Sequence, residues 1–214
     1  MLDALIFTKT PLLLKAVYPE CIWKVDANEK VLYLTFDDGP IPEVTPFVLA
    51  ELKKWNAKAT FFCIGKNAEA NPEILKQALD EGHSIGNHTY DHLNGWKTSD
   101  EVYFENIERC KAALSAYCLP PVANVFRPPY GKLKPSQYAT LKSKYSIVMW
   151  DVLSYDFDLA VPKEKVLGNV LQNAEVGSVV VFHDSLKAKE KVLYALPKVL
   201  EHFSAQGFKF EALC

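Results

Sequence analysis

Val31-Leu32-Tyr33-Leu34-Thr35-Phe36-Asp37-Asp38-Gly39-Pro40 decides the fold of this chain. Its first six residues are aliphatic, aromatic or β-branched and read as a strand, Val31 to Phe36. The strand ends on two aspartates and a Gly-Pro turn, after which Val44, Phe47, Val48, Leu52 and Trp55 fall on one helical face. An open doubly wound sheet places a glycine-rich phosphate turn after its first strand. Asp37-Asp38-Gly39-Pro40 is not such a turn, so the competing architecture, a closed or nearly closed barrel, is preferred.

The same β-then-α alternation continues outward from this stretch. Thr60–Ile64, Ser84–Asn87, Asn124–Arg127, Ile147–Val152, Ser178–Phe182 and Phe208–Phe210 are the further strands. Helices are expected from Pro72 to Gly82, after the Ser99 cap (apolar positions Tyr103, Ile107, Cys110, Leu114, Tyr117), from Pro135, from Pro162, and through Val192–Phe203. Ser178–Phe182 is apolar or small throughout, as a strand covered on both faces should be. Seven such units predict a single-domain α/β fold, a distorted (β/α) barrel of about seven parallel strands. That domain spans residues 31–214, with residues 1–30 as an N-terminal extension packed on it.

A chain of 214 residues suits one domain, and 49% hydrophobic with 23% charged residues can build a sizeable core. The formal net charge of -2 supplies no basic footprint for nucleic acid and no cationic face for anionic lipid. Five cysteines (Cys21, Cys63, Cys110, Cys118, Cys214) form an odd set without a CxxC pair. That makes a disulfide framework a poor reading and suggests neither a zinc ribbon nor thiol redox chemistry. No stretch is long enough for a transmembrane helix. Asp3, Lys9 and Lys15 spoil a secretory leader, so a cytoplasmic location is expected, with export on a leader lying outside this sequence as the alternative.

Candidate chemistry concentrates at strand ends. Asp37-Asp38 closes the first strand, His88 follows the third, Arg127 ends the fourth, Asp156 follows the fifth and His183 ends the sixth. A parallel barrel brings these ends to one rim, the usual position of its active site. Asp37 and Asp38, adjacent on an extended backbone, point opposite ways and suit two roles; read alone, Asp-Asp-Gly-Pro is equally a plain turn. His88 and His92 stand four apart, the spacing of one side of a helical turn, and with one carboxylate they make a tridentate divalent site; the bland reading is two surface histidines. Thr89 stands where a zincin carries glutamate. Arg127 suits a carboxylate partner, against an ordinary surface ion pair. His183 suits a general acid held charged by Asp156, against a satisfied core histidine.

Together, Thr35–Pro40, Asn87–His92, Phe126–Gly131, Trp150–Phe157 and Val181–Asp184 closely resemble the polysaccharide deacetylases of carbohydrate esterase family 4, the nodulation-type deacetylase domain, from about Val31 to Phe210. The resemblance implies hydrolysis of the acetamide of N-acetylglucosamine units in peptidoglycan, chitooligosaccharide or a related glycan. It implies Asp37 as the base toward a metal-bound water, and Asp38, His88 and His92 as ligands of one divalent cation, expected to be zinc with cobalt, nickel or iron compatible. Arg127 then orients the base, the backbone N–H of Tyr130 is the oxyanion donor, and His183, supported by Asp156, is the acid. The alternatives are O-acetyl xylan or a small cyclic amide as substrate, or a non-catalytic carbohydrate-binding scaffold. Leu153 and Phe157 depart from the common acidic residue and tryptophan, at the pocket for the acetyl methyl. Tyr90, Tyr130 and Trp96 are candidate sugar-stacking surfaces, Trp96 more readily explained by packing. An N-acetylated glycan is the expected partner, and the oligomeric state is not readable.

Overall fold

The computed structural model describes residues 7–117 and 124–213. Cys118, Cys214 and Asp3 lie outside the described residues. The strands are β1 (Val31–Asp37), β2 (Ala59–Cys63), β3 (Ser84–Asn87), β4 (Val125–Phe126), β5 (Ser146–Ile147), β6 (Val152–Leu153), β7 (Val179–His183) and β8 (Lys209–Phe210). They pair in the order β5-β4-β3-β2-β1-β7-β6, every ladder parallel, with β8 added to the start of β1. The helices are α1 (Leu12–Val17), α2 (Thr45–Lys54), α3 (Gly65–Ala70), α4 (Pro72–Asp80), α5 (Asp100–Ser115), α6 (Pro135–Leu141), α7 (Lys163–Asn173) and α8 (Lys189–Ala205). This is the curled, distorted (β/α) barrel in one domain that the alternation predicts.

Strand alternation sorts β1 between two environments. Leu32, Leu34 and Phe36 are fully buried in the main core with Val48, Leu52, Leu196 and Leu200 of α2 and α8. Tyr33, Thr35 and Asp37 face the other way; Tyr33 joins Phe62, Val125, Val148 and Val179 in a small cluster. The polar end of that inner row is where the site lies.

The expected fifth strand, Ile147–Val152, is two short strands instead. β5 pairs with β4 and β6 with β7, at opposite edges of the sheet. Residues 148–151 cross between those edges, and their backbone groups bond to other segments rather than to one ladder. Ile22 donates to the carbonyl of Ile147 at 2.8 Å and accepts from Met149 at 2.8 Å. Other differences are local. α1 and α3 are helices that periodicity did not predict; in α3 only Gly65 and Ala68 are buried, too little for an apolar stripe. Trp55 and Tyr117, expected on buried faces, are 39% and 41% exposed at helix ends. No helix among the described residues is long and apolar enough to cross a membrane.

Candidate active site

Asp37 is the last residue of β1 and is buried. Its Oδ1 accepts from Nη1 of Arg127 at 2.7 Å. The guanidinium is fully buried and lies over the Phe62 ring, 4.1 Å from its centroid. Its other donors go to Oγ1 of Thr35 (2.8 Å), the carbonyl of Val148 (3.2 Å) and the carbonyl of Met149 (2.9 Å). Four acceptors thus fix the plane of the fork, which in turn fixes one oxygen of Asp37. Oδ2 of Asp37 lies 4.0 Å from Nε2 of His88.

The backbone reverses immediately afterwards, with Asp38 at φ 85° and the Gly39–Pro40 peptide cis. This turn is held by Asp184, which is fully buried. Asp184 accepts from the Gly39 amide at 3.0 Å and from Oγ1 of Thr45 at 2.6 Å, and Thr45 accepts from the Ile41 amide at 2.7 Å. Burial, with Asp38 nearby, pushes the Asp184 carboxyl up to about 7. Asn67 of α3 donates to the Asp38 carbonyl at 2.7 Å.

His88 and His92 converge with Asp38, although not by the helical turn their spacing suggested. Residues 88–92 form a loop in which Thr89 and His92 are left-handed, at φ 62° and 58°. Two asparagines impose it. Asn87 accepts from the Thr89 amide at 2.9 Å, and Oδ1 of Asn106 accepts from the amides of Tyr90 (2.8 Å) and Asp91 (3.0 Å). The ring centroids of His88 and His92 are 5.1 Å apart. Oδ1 of Asp38 lies 3.3 Å from Nε2 of His92 and 3.9 Å from Nε2 of His88, and has no hydrogen-bond partner despite being buried. Nδ1 of His88 faces the Arg127 carbonyl at 2.7 Å, so its Nε2 is the atom presented to the site. Burial lowers both imidazoles, His88 further than His92, and leaves them neutral, the form that ligates. One oxygen and two nitrogens within 4.8 Å of one another, the oxygen buried and unpartnered, fit a divalent cation.

The neighbouring strand β7 ends on His183, which meets Asp156 from the segment after β6. Asp156, fully buried, accepts from the His183 amide at 2.7 Å and faces its Nδ1 at 2.7 Å. Burial opposes charge on this ring. The Asp156 carboxylate outweighs it, aided by Asp38 and Asp37, and His183 is pushed up to about 9. Asp156 is set in place by Ser154, whose Oγ accepts its amide at 3.2 Å, and by Asn169 of α7, which donates to the Ser154 carbonyl at 2.9 Å. Phe157 meets His183 edge-on at 5.1 Å.

Tyr130 sits at the mouth, 59% exposed and left-handed at φ 61°, with its ring against His92 at 4.7 Å. Trp96 is 52% exposed and anchored through Nε1 to the Leu133 carbonyl at 2.9 Å. Tyr90 is buried instead, its hydroxyl donating to Glu69 at 2.6 Å and its ring under Arg109, so it offers no stacking face. All eight anticipated site residues therefore gather at one rim. Sequence reasoning gave no role to the residues that hold them there: Thr35, Asn87 and Asp184, which lie in the segments of the resemblance, and Asn106 and Asn169, which do not. Thr35 was the most accessible, being a polar residue alternating with Asp37 inside an apolar strand.

The family profile described as Polysaccharide deacetylase matches residues 24–147. The chain belongs to that family. Among its relatives is a peptidoglycan-N-acetylglucosamine deacetylase of Bacillus cereus, 38% identical over 190 residues covering 88% of each chain. A chitooligosaccharide deacetylase of Azorhizobium caulinodans is 33% identical over 203 residues, 89% of this chain and 96% of the relative. The crystal structure of a peptidoglycan N-acetylglucosamine deacetylase in complex with 4-naphthalen-1-yl-N-oxidanyl-benzamide superposes with a TM-score of 0.87, at 34% identity over 95% of each chain.

Proposed function

We propose that this deacetylase-family chain hydrolyses the acetamide of N-acetylglucosamine units in a glycan such as peptidoglycan or chitooligosaccharide, with one divalent cation at Asp38, His88 and His92. One observation carries the reading. A carboxylate held by arginine, two neutral imidazoles beside an unpartnered carboxylate oxygen, and an imidazole held charged by a carboxylate share a single rim. A bound cation supplies Lewis acidity, lowering the pKa of water and polarising a carbonyl. Zinc is the ion proposed. The hydroxamic acid bound to the 34%-identical relative belongs to a class that chelates such cations, which supports a metal at the equivalent place.

The chain's own residues do the rest. Asp37, fixed through Oδ1 by Arg127, takes the proton of the attacking water on its free side. The Tyr130 amide donates to the carbonyl oxygen as it gains charge, a contact typically worth about 3 kcal/mol. His183 delivers its Nε2 proton to the departing nitrogen while Asp156 holds Nδ1. The C–N bond breaks, and acetate and the free amine leave. Exposed Tyr130 and Trp96 offer flat apolar faces to sugar rings.

The test is acetate release from chitooligosaccharides, peptidoglycan fragments and acetylxylan by the purified protein. Release from the amide substrates, abolished in Asp37→Asn with metal content unchanged, is the expected result. Activity on the ester alone, or on none of the three, overturns the proposal.

A further inference from the structure

We infer that the segment preceding the barrel, residues 8–22, is a positioning strap for Arg127 and so for Asp37, with Asp151 as its anchor; this rests on the reading of Asp37 as the base. The last residue of β5, Ile147, and the crossing segment 148–151 present five successive carbonyls. Arg127 holds the second and third, those of Val148 and Met149. The strap holds the other three. Ile22 donates to Ile147, Oγ1 of Thr10 donates to Trp150 at 2.8 Å, and the Thr10 amide donates to Asp151 at 2.9 Å. The strap also accepts amides, Met149 onto Ile22 and Leu153 onto Thr8 at 2.8 Å each. The pose of the guanidinium is therefore set by a segment whose Thr8, Thr10 and Ile22 bond the stretch that Arg127 grips, and not Arg127 itself.

Apolar packing holds the end of the strap, where Tyr18, Cys21 and Ile22 lie against the core, but not α1, which has no buried residue and whose Leu12 and Leu13 are 82% and 80% exposed. Charge attaches it. The Asp151 carboxylate, 0% exposed, accepts from Nζ of Lys15 and of Lys9 at 2.6 Å each and from Oγ of Ser178 at 2.6 Å. Lys9 reaches further to the Asn173 carbonyl at 2.9 Å. Two cations closing on one fully buried carboxylate, beside the carbonyls that Arg127 uses, make Asp151 a positioning residue.

The test uses the full-length, metal-loaded protein and reads Arg127 directly. The chain has two arginines, Arg109 and Arg127, so their Nε–H signals are separable by NMR. In Asp151→Asn, hydrogen exchange at Nε of Arg127 should accelerate roughly tenfold or more. On chitooligosaccharide, kcat should fall roughly tenfold while KM stays within about twofold. Thr10→Val removes only the hydroxyl bond to Trp150 and should move both readouts the same way, less far. Leu13→Ser, on the exposed face of α1, should move neither. Wild-type exchange and kcat in folded Asp151→Asn overturn the proposal. If that variant does not fold, Thr10→Val and Lys15→Met decide, and wild-type behaviour in both overturns it equally. A wild-type protein inactive on acetylated glycans sinks the proposed function, while the exchange measurement still judges the strap.

Discussion

Asp37 and His183 are cross-strand partners at the ends of β1 and β7. The proposed base and acid thus stand one strand apart, roughly 4.8 Å between backbones, on the same face of the sheet. Each has its own partner of opposite charge: Arg127 on Asp37, Asp156 on His183. A one-residue slip of either strand would turn its residue to the other face of the sheet and separate the two.

The His183–Asp156 pair makes stability depend on pH. The ring stands at about 9 in the folded protein against an ordinary 6.5. Its stabilisation is fully present below 6.5 and is lost as pH rises through about 9. Thermal denaturation of the chelator-treated protein should show Tm falling across that window, and Asp156→Asn should flatten the fall. With the metal restored, the same variant should move the alkaline limb of kcat to lower pH; an unmoved limb argues against His183 as the acid.

Arg127 should not tolerate lysine. A single ammonium cannot satisfy acceptors on Thr35, Asp37, Val148 and Met149 arranged around a planar fork. Breaking a buried pair costs about 3–5 kcal/mol, so Arg127→Lys should lower the urea midpoint markedly. Turnover should drop by roughly a hundredfold or more through displacement of the base.

Metal binding should rest on three side chains. Elemental analysis is expected to find one divalent ion per chain in the wild type and a small fraction of that in Asp38→Ala or His92→Ala. Saturating zinc should raise Tm of the wild type, because an ion bound only by the folded state stabilises it, by about 2.7 kcal/mol at a hundredfold excess over Kd. Neither ligand variant should show the rise.

Gly39 should resist even alanine. A Cβ there would lie 1.9 Å from Oδ2 of Asp184 and 2.5 Å from its Cγ. Asp184 cannot retreat without releasing Thr45 and the Gly39 amide. Gly39→Ala should therefore destabilise by ~3 kcal/mol and also lose metal affinity, since the displaced turn carries Asp38. Calorimetry and zinc titration read the two effects separately.

Where sequence and structure agree, the signal was local. β1 and β7 announce themselves as apolar runs, and the polar residues that close them mark the rim without knowledge of any loop. The convergence of His88 and His92 was anticipated, but for the wrong backbone reason. Their loop is shaped by Asn106, whose carbonyl reaches across from α5, and no short-range pattern reports a bond between positions so far apart. The crossing segment 148–151 was read as strand because its composition suits one. Its end amides bond to Phe126 and Val179 on opposite edges of the sheet, while its carbonyls go to Arg127 and to Thr10 near the N-terminus, partners that only the closed barrel supplies. Tyr90 was placed at the surface for the same reason, its shelter coming from Glu69 on α3 and Arg109 on α5.

Among the described residues, five of the six non-glycine residues with left-handed backbone are Asp38, Thr89, His92, Tyr130 and Tyr155, all at or beside the rim; Asn56 is the other. Each such conformation costs of order 1 kcal/mol or more relative to a relaxed one. A laboratory selection for heat resistance alone would therefore be drawn to these positions, where glycine or asparagine recovers that energy. The hardiest descendants would have surrendered the ligands at Asp38 and His92. Libraries built to toughen this fold should hold the five fixed and seek their gains on the exposed leucines of α1 and the outer faces of α5 and α8.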